Sequence, residues 1–367
     1  MLALFKASRL VLPVLLFGYG IAANFTVLTG PPTGLHVPHA DLLAGGLTRD
    51  FERQYKNTLP HFAPSFGLIG AARYALLGEA RNGAVVGRDG WLFTSEETRA
   101  VPSANKLAAA VDRIRAVRDA LQARGVDLVL LPLPAKIDVE QAHAPDAALS
   151  DAMQTLDSDF LTALKAAGVT ALNPRDALMT TDKPSFFATD THWTRAGAAA
   201  AAGVVAASLP HGPLTFTIGT SVDKPLTGDL IRYVTEDSLA PKIGLQPERV
   251  TLTKIVAAQA PTDIFDAAPV DVVLIGTSYS ANTDWGFADA LSQALGREVE
   301  NLAAVGLGPV VPMQAYLTGN EFRDTPAKLV LWEFPIRYLT DPNLWSEPAP
   351  VARPLAGNTP AMVAANG

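Results

Sequence analysis

The sequence predicts an α/β fold, a parallel sheet flanked by helices, and three observations carry that prediction. Short apolar runs that fit buried strands alternate with longer amphipathic runs that fit helices. At least five runs read as strands: VDLVLLPLP, VTALNP, VDVVLIG, VENLAAVG and AKLVLWEF. Three short segments, TDTHWT, GTSYS and NLAAVGLGP, fall on or just after the carboxyl ends of such runs, where open parallel sheets place their ligand-binding loops.

Composition narrows the class. The chain has 367 residues, 49% of them hydrophobic and 18% charged, which excludes disordered and fibrous proteins. A net charge of -7 argues against a nucleic-acid partner. With no cysteine, disulfides, thiolate catalysis and cysteine-type zinc sites are excluded together.

The first element is an N-terminal helix over residues 1–28. Lys6 and Arg9 precede an uncharged run, Leu10 to Leu28, about long enough to span a bilayer. That order of charge and apolarity is the physics of export. Ala22 and Ala23 make a poor cleavage site, so the reading favours a retained inner-membrane anchor with the body in the periplasm. A cleaved signal peptide that leaves a soluble periplasmic protein is the alternative.

Residues 29–45 read as a linker, because Pro and Gly interrupt any periodicity. One main domain is expected over 46–340. It opens with short helices, followed by VVGRDGWLF, where Asp89 and Gly90 mark a hairpin turn. Helical spacing runs from Ser103 to Arg124, and Gly125 stops it. Further helices are expected over Asp151 to Gly168 and Thr194 to Leu209, then from the GTSYS segment to Leu295. Residues 210–262 read as polar and irregular, and 341–367 as a flexible Pro- and Ala-rich tail.

Two of the short segments carry chemistry. In GTSYS an apolar strand runs into Gly276 and then Ser278, which should open a helix with its hydroxyl exposed and its own N–H near a developing oxyanion. Such a serine is an activated nucleophile only with a base beside it. His192 is the obvious base and Asp190 the group to orient it. Each segment alone also fits a bland role, since Asp190 would serve as a helix cap and Ser and Thr are ordinary caps. Trp91, Trp193, Trp285 and Trp332 are candidates to stack on sugar faces, with Trp193 the first choice, although core packing is the usual use of tryptophan. Lys136, Arg195, Arg232 and Arg337 are candidates to contact an acidic sugar. No metal site is expected, because His192 is the only histidine in a convincing setting.

The set of segments is more specific than any one of them. GRDGWLFTSEE, PLPAKID, TDTHWTRAGA, GDL, IGTSYSA and LVLWEFPIRYL, in that order between Phe51 and Leu339, resemble the AlgJ/AlgX family of alginate O-acetyltransferases. The resemblance implies a circularly permuted SGNH-hydrolase-like domain, with the Asp-x-His segment ahead of the serine. By position, Asp190, His192 and Ser278 correspond to the family's triad. Ser278 and Gly306 correspond to its oxyanion donors, and Trp193, Tyr279 and Arg195 become substrate-binding candidates. Where ordinary SGNH enzymes place an Asn donor this chain reads WEFPIR, so the donor is missing or replaced by Arg337. The resemblance further implies acetyl transfer through a serine acetyl-enzyme to an exported polysaccharide, a membrane-bound O-acyltransferase as acetyl source, and no cofactor. It leaves open an acetyl esterase with the same triad, or a non-catalytic polysaccharide-binding subunit of a secretion complex. AlgX-like members carry an additional C-terminal carbohydrate-binding module, and the length after Leu339 is AlgJ-like. Alginate and a neutral exopolysaccharide are both admissible acceptors.

Overall fold

A computed structural model describes residues 2–29, 45, 48–49, 51–52, 55, 58–59, 62–258, 270–324, 326–341 and 343–345. The expected linker falls almost wholly outside these residues, as does most of the expected tail. The chain forms two compact units, one of residues 1–78 with 234–243 and one of 79–233 with 244–367.

The smaller unit includes α1 (Leu2–Thr29), with Pro13 inside it, and α2 (Phe62–Leu77). Among the described residues no helix is long and apolar enough to cross a membrane. Within this unit the Thr235 hydroxyl donates to the Gly67 carbonyl at 2.9 Å. Helix α2 leaves Leu68, Ile69, Leu76 and Leu77 exposed, which is why its apolar residues do not mark a core helix.

The larger unit begins with the expected hairpin, β1 (Ala84–Val86) and β2 (Leu92–Thr94). Asp89 and Gly90 both adopt positive φ at its turn, as Asp-Gly turns require. Next come α3 (Ala104–Gln122), β3 (Asp127–Leu133), α4 (Lys136–Val139), α5 (Ala147–Ala166), β4 (Thr170–Ala171), α6 (Arg175–Met179) and α7 (Arg195–Ser208). The stretch read as irregular instead holds a long antiparallel ribbon, β5 (Phe216–Leu226) and β6 (Glu248–Ala257). Its β5 strand is largely exposed, so it lacks the apolar signal that marks a buried strand. The remainder is β7 (Val272–Ile275), α8 (Ser278–Ala281), α9 (Phe287–Leu295), β8 (Val299–Asn301), α10 (Val310–Thr318), α11 (Asn320–Asp324) and β9 (Leu329–Pro335).

Five strands pair in the order β4-β3-β9-β7-β8, every pair parallel. The central strands β7 and β9 are buried along their whole length, as apolar runs require when helices cover both faces, and β9 carries one charged residue, Glu333, into that interior. Strand β8 ends at Asn301, so Gly306 lies in the exposed turn beyond it rather than at a strand end. The folded body also reaches past residue 340. Trp345 is buried, packs on Phe334 with ring centroids 5.4 Å apart and donates its indole N–H to the Tyr338 carbonyl.

Candidate active site

The site forms where the carboxyl end of β7 meets a loop ahead of α7. Gly276 follows β7 beside Glu333 of β9, and any Cβ there would fall on the Glu333 carboxylate, so the approach requires glycine. Thr277 caps α8, its hydroxyl oxygen accepting from the Tyr279 N–H. Its own N–H and hydroxyl donate to Glu333, each at 3.0 Å. The Ser280 hydroxyl donates to the same carboxylate at 2.7 Å. Burial pushes the Glu333 carboxyl up, while these donors from Ser280 and Thr277 pull the other way. Ser280 is thereby buried on the Glu333 side and Ser278 is turned to the opposite, half-open side.

The base loop is closed at its ends like a hairpin. Phe186 bridges Trp193, the Phe187 N–H donates to the His192 carbonyl at 3.2 Å, and the Thr194 N–H donates to Ser185 at 2.8 Å. Between these ends, the Glu248 carboxylate accepts the Ala188 and Thr189 N–H groups and the Thr189 hydroxyl. The Asp229 carboxylate accepts the Thr191 N–H and hydroxyl. Gly228 lies against the Thr189 carbonyl, where a Cβ would overlap it. The GDL segment thus braces the loop, a use that its sequence alone did not reveal.

These two pieces bring Ser278, His192 and Asp190 into one line. His192 Nδ1 lies 2.7 Å from Asp190 Oδ1, and Nε2 lies 2.8 Å from Ser278 Oγ. With Nδ1–H donating to the carboxylate, Nε2 is left to accept the serine proton. Asp190 also accepts the His192 N–H at 2.9 Å and the Asp229 N–H at 2.8 Å. Burial alone would raise the Asp190 carboxyl, but the bonds from His192 and from the two backbone N–H groups outweigh it and hold it below the ordinary carboxylate value. The indole of Trp285 stacks on the imidazole at 5.2 Å and 25°, and the Tyr279 ring packs on it at 4.8 Å. Donor atoms of Asp190, His192 and Asp229 lie within 4.8 Å of one another, a spacing that a metal would also accept. The carboxylate oxygens already take N–H and O–H bonds, so the cluster reads as a hydrogen-bonded charge network.

Several expected roles change. Trp193 has no exposed surface: it packs on Phe287 and Tyr279 and donates its indole N–H to the Tyr279 carbonyl at 3.1 Å, so it offers no face to a sugar. Tyr279 is likewise buried, its hydroxyl donating to the Thr191 carbonyl and accepting from Arg337 at 3.1 Å. Arg337 is buried as well and bonds Glu96 at 2.9 Å, so it braces Tyr279 rather than serving as a free oxyanion donor. Lys136 is buried and bonds backbone carbonyls, out of reach of a sugar. Arg195 is half-buried and lines a cavity of about 470 Å³ together with Lys183, Phe186, Phe187 and Arg249. Gly306 has φ +76 in the loop after β8. That loop is tied to the serine turn by Asn301, which donates to the Ser280 carbonyl at 2.7 Å, and by the Ala304 N–H, which donates to the Gly276 carbonyl.

Residues 84–336 match the model of the family described as SGNH hydrolase-like domain, acetyltransferase AlgX. The chain belongs to this family. Among curated relatives, the probable alginate O-acetylase AlgJ of Pseudomonas aeruginosa is 35% identical over 319 residues, 81% of each chain. The AlgJ of Pseudomonas fluorescens is 34% identical over 314 residues, 82% of this chain and 79% of that one. Among solved structures, the O-acetyltransferase domain of Pseudomonas putida AlgJ superposes with a TM-score of 0.62 at 34% identity, covering 71% of this chain and 93% of that domain. Pseudomonas aeruginosa AlgX shares the fold, with a TM-score of 0.57 at 22% identity over 70% of this chain and 67% of that one. The SGNH hydrolase-like domain therefore accounts for the parallel sheet, and the loops described above stand at its carboxyl ends.

Proposed function

We propose that this chain O-acetylates an exported polysaccharide through an acetyl-enzyme on Ser278, and the observation that carries the proposal is His192 bridging Asp190 and Ser278 at 2.7 and 2.8 Å. Ser278 Oγ attacks the acetyl carbonyl as Nε2 of His192 takes its proton, and the leaving group departs with that proton. A sugar hydroxyl then gives its proton to His192 and takes the acetyl group, which restores the serine. Asp190, held ionised, fixes the imidazole and stabilises its charged form. The Ser278 N–H and Gly306 are the oxyanion donors that the family pattern assigns, on the permuted order in which Asp190 and His192 precede the serine.

Alginate, the polymer in the relatives' names, is the first acceptor to test. Arg195, Lys183 and Arg249 line a cavity beside the base loop, together with Glu248, which is bound to that loop, and the three cations suit a carboxylate-bearing sugar. We further propose that α1 tethers the chain to the inner membrane with the body in the periplasm, where a membrane-bound O-acyltransferase supplies acetyl groups. The exposed apolar side chains of Leu12, Leu15, Leu16, Phe17 and Ile21, behind Lys6 and Arg9, support this reading.

Mass spectrometry on a chromogenic acetyl ester mixed with oligosaccharides tests the transfer. Acetylated oligouronate is expected. Acetate released with no acetylated sugar from any acceptor would make the chain an esterase.

A further inference from the structure

The PLPAKID segment has no part in the chemistry above, yet its lysine ends beside the triad. Lys136 opens α4 and is about 99% buried. Its Nζ donates to three backbone carbonyls: Leu92 at 2.6 Å, Asp190 at 2.9 Å and Ala188 at 3.0 Å. An ammonium has three N–H donors and no acceptor, so all of its capacity is used. The rings of Trp91 and Phe93 lie under it, with their centroids 5.2 and 5.1 Å from Nζ, and close it off from water. The backbone of the lysine is fixed in turn, since Glu97 accepts the N–H groups of Lys136 and Ile137 at 3.0 Å each.

We propose that Lys136 is a positioning residue for the triad, its ammonium holding the Asp190 and Ala188 carbonyls against β2 and so setting where the Asp190 carboxylate and the His192 ring stand. The proposal rests on the reading of Ser278, His192 and Asp190 as the reacting groups. Glu248 and Asp229 hold the N–H groups of the same loop, while Lys136 holds its carbonyls, so it is the cationic half of the brace. If Nζ loses one proton, two donors remain for three carbonyls. The Ala188 carbonyl also takes the Leu92 N–H at 2.8 Å, so the bond that matters is the one to the Asp190 carbonyl, and without it the loop loosens where a small displacement is costly to the reaction.

The ammonium is near that limit. Burial pushes Lys136 down from 10.5 to about 8, against the pull of Glu97, Glu248, Asp190 and Asp229, which face it from the 3₁₀ turn 95–98, β6, the base loop and the GDL turn. Glu140 also faces the ammonium, and Arg337 faces Glu97. Between 8 and 10.5 the native chain has released this proton and the unfolded chain has not, so the Lys136 contribution to stability increases with pH across that window. A loss of activity there is therefore separable from unfolding.

The test is single-turnover acetylation of the full chain by a chromogenic acetyl ester between about pH 7 and about pH 10, with thermal midpoints over the same range. For the native sequence the rate constant is expected to fall at least about tenfold above pH 8, without a matching fall in midpoint. Lys136→Arg keeps a cation that does not titrate in this range, so its profile should be flat there, at a rate lowered by imperfect fit. Lys136→Met should be slower by about 10² and lack the inflection. A flat native profile, an inflection retained in Lys136→Arg, or a folded Lys136→Met that acetylates at the native rate would each overturn the proposal. Acetylation persisting in Ser278→Ala would instead overturn the triad reading on which it rests.

Discussion

In the serine turn one buried carboxylate collects the donors: Glu333 takes the Thr277 N–H, the Thr277 hydroxyl and the Ser280 hydroxyl, while Asn301 and the Ala304 N–H hold the Ser280 and Gly276 carbonyls. In the base loop the same work is divided among Lys136, Glu248 and Asp229, each from a different segment. The difference follows from where the two pieces sit. The serine turn extends a central strand, and its neighbour β9 is fixed beside it by the sheet. Beyond its closing bridge the base loop has two backbone partners among the described residues, the Leu92 N–H on the Ala188 carbonyl and the Leu230 N–H on the Thr189 carbonyl, so charged side chains supply much of what a ladder would have given. Changing Glu333 removes three bonds of its turn at once, whereas changing one brace of the base loop leaves the bonds of the others in place.

The largest effect expected is at the junction of the two pieces. Ser278→Ala should lower acetyl-enzyme formation about 10⁴- to 10⁶-fold, and adding His192→Ala should make it little worse, because triad members act as a unit. Stopped-flow measurement of the chromogenic burst checks both. Glu333→Ala comes next, at about 10²-fold in the acylation rate, since it frees the serine turn and leaves three buried donors without an acceptor. Glu333→Gln keeps one acceptor oxygen and should fall between this variant and the native chain. If Glu333→Ala acylates normally, Glu333 does not position the serine turn.

How much of this was legible in the sequence follows the same division. A run of Val and Ile ending in Gly, Thr and Ser is a local pattern, so β7 and the serine turn could be read from VVLIGTS. The Asp-x-His pair was legible for the same reason. Its braces were not, because Lys136 lies 54 residues from Asp190 and Glu248 lies 60 from Ala188, and only the fold brings them together. The ribbon of β5 and β6 was missed because strand β5 is largely exposed, although β6 carries Glu248 to the loop. Trp193 misled in the other direction. Its place next to His192 suggested contact with substrate, while the bridge to Phe186 turns it into the core.

Smaller effects sharpen the comparison. Arg195→Gln should raise KM for an acidic oligosaccharide about threefold to tenfold, and less for a neutral one. An equal change for both acceptors would mean that the cavity rim does not read charge. Ser280→Ala should keep acetylation and lower stability by about 1 kcal/mol, because it removes one of three bonds to Glu333. Asp157, away from both pieces, is a control for buried carboxylates as such. Burial, with Asp138 beside it, pushes it up from 3.8 to about 7, and its Oδ1 has no hydrogen-bond partner among the described residues. A raised acid stabilises the fold below its unfolded value and loses that contribution as pH rises through 7. The thermal midpoint of the native chain should therefore drop over that interval relative to Asp157→Asn, with acylation unaltered in the variant.

The most direct test of the account is to trap the acetyl-enzyme with the chromogenic ester at low pH and to map the modified peptide by mass spectrometry. The geometry places Ser278, and not Ser280, against His192. The acetyl group is expected on Ser278 of the peptide that contains GTSYS, absent in Ser278→Ala and present in Ser280→Ala. An acetyl group on Ser280, or on any residue outside that turn, would contradict the claim that Asp190, His192 and Ser278 form the reacting line.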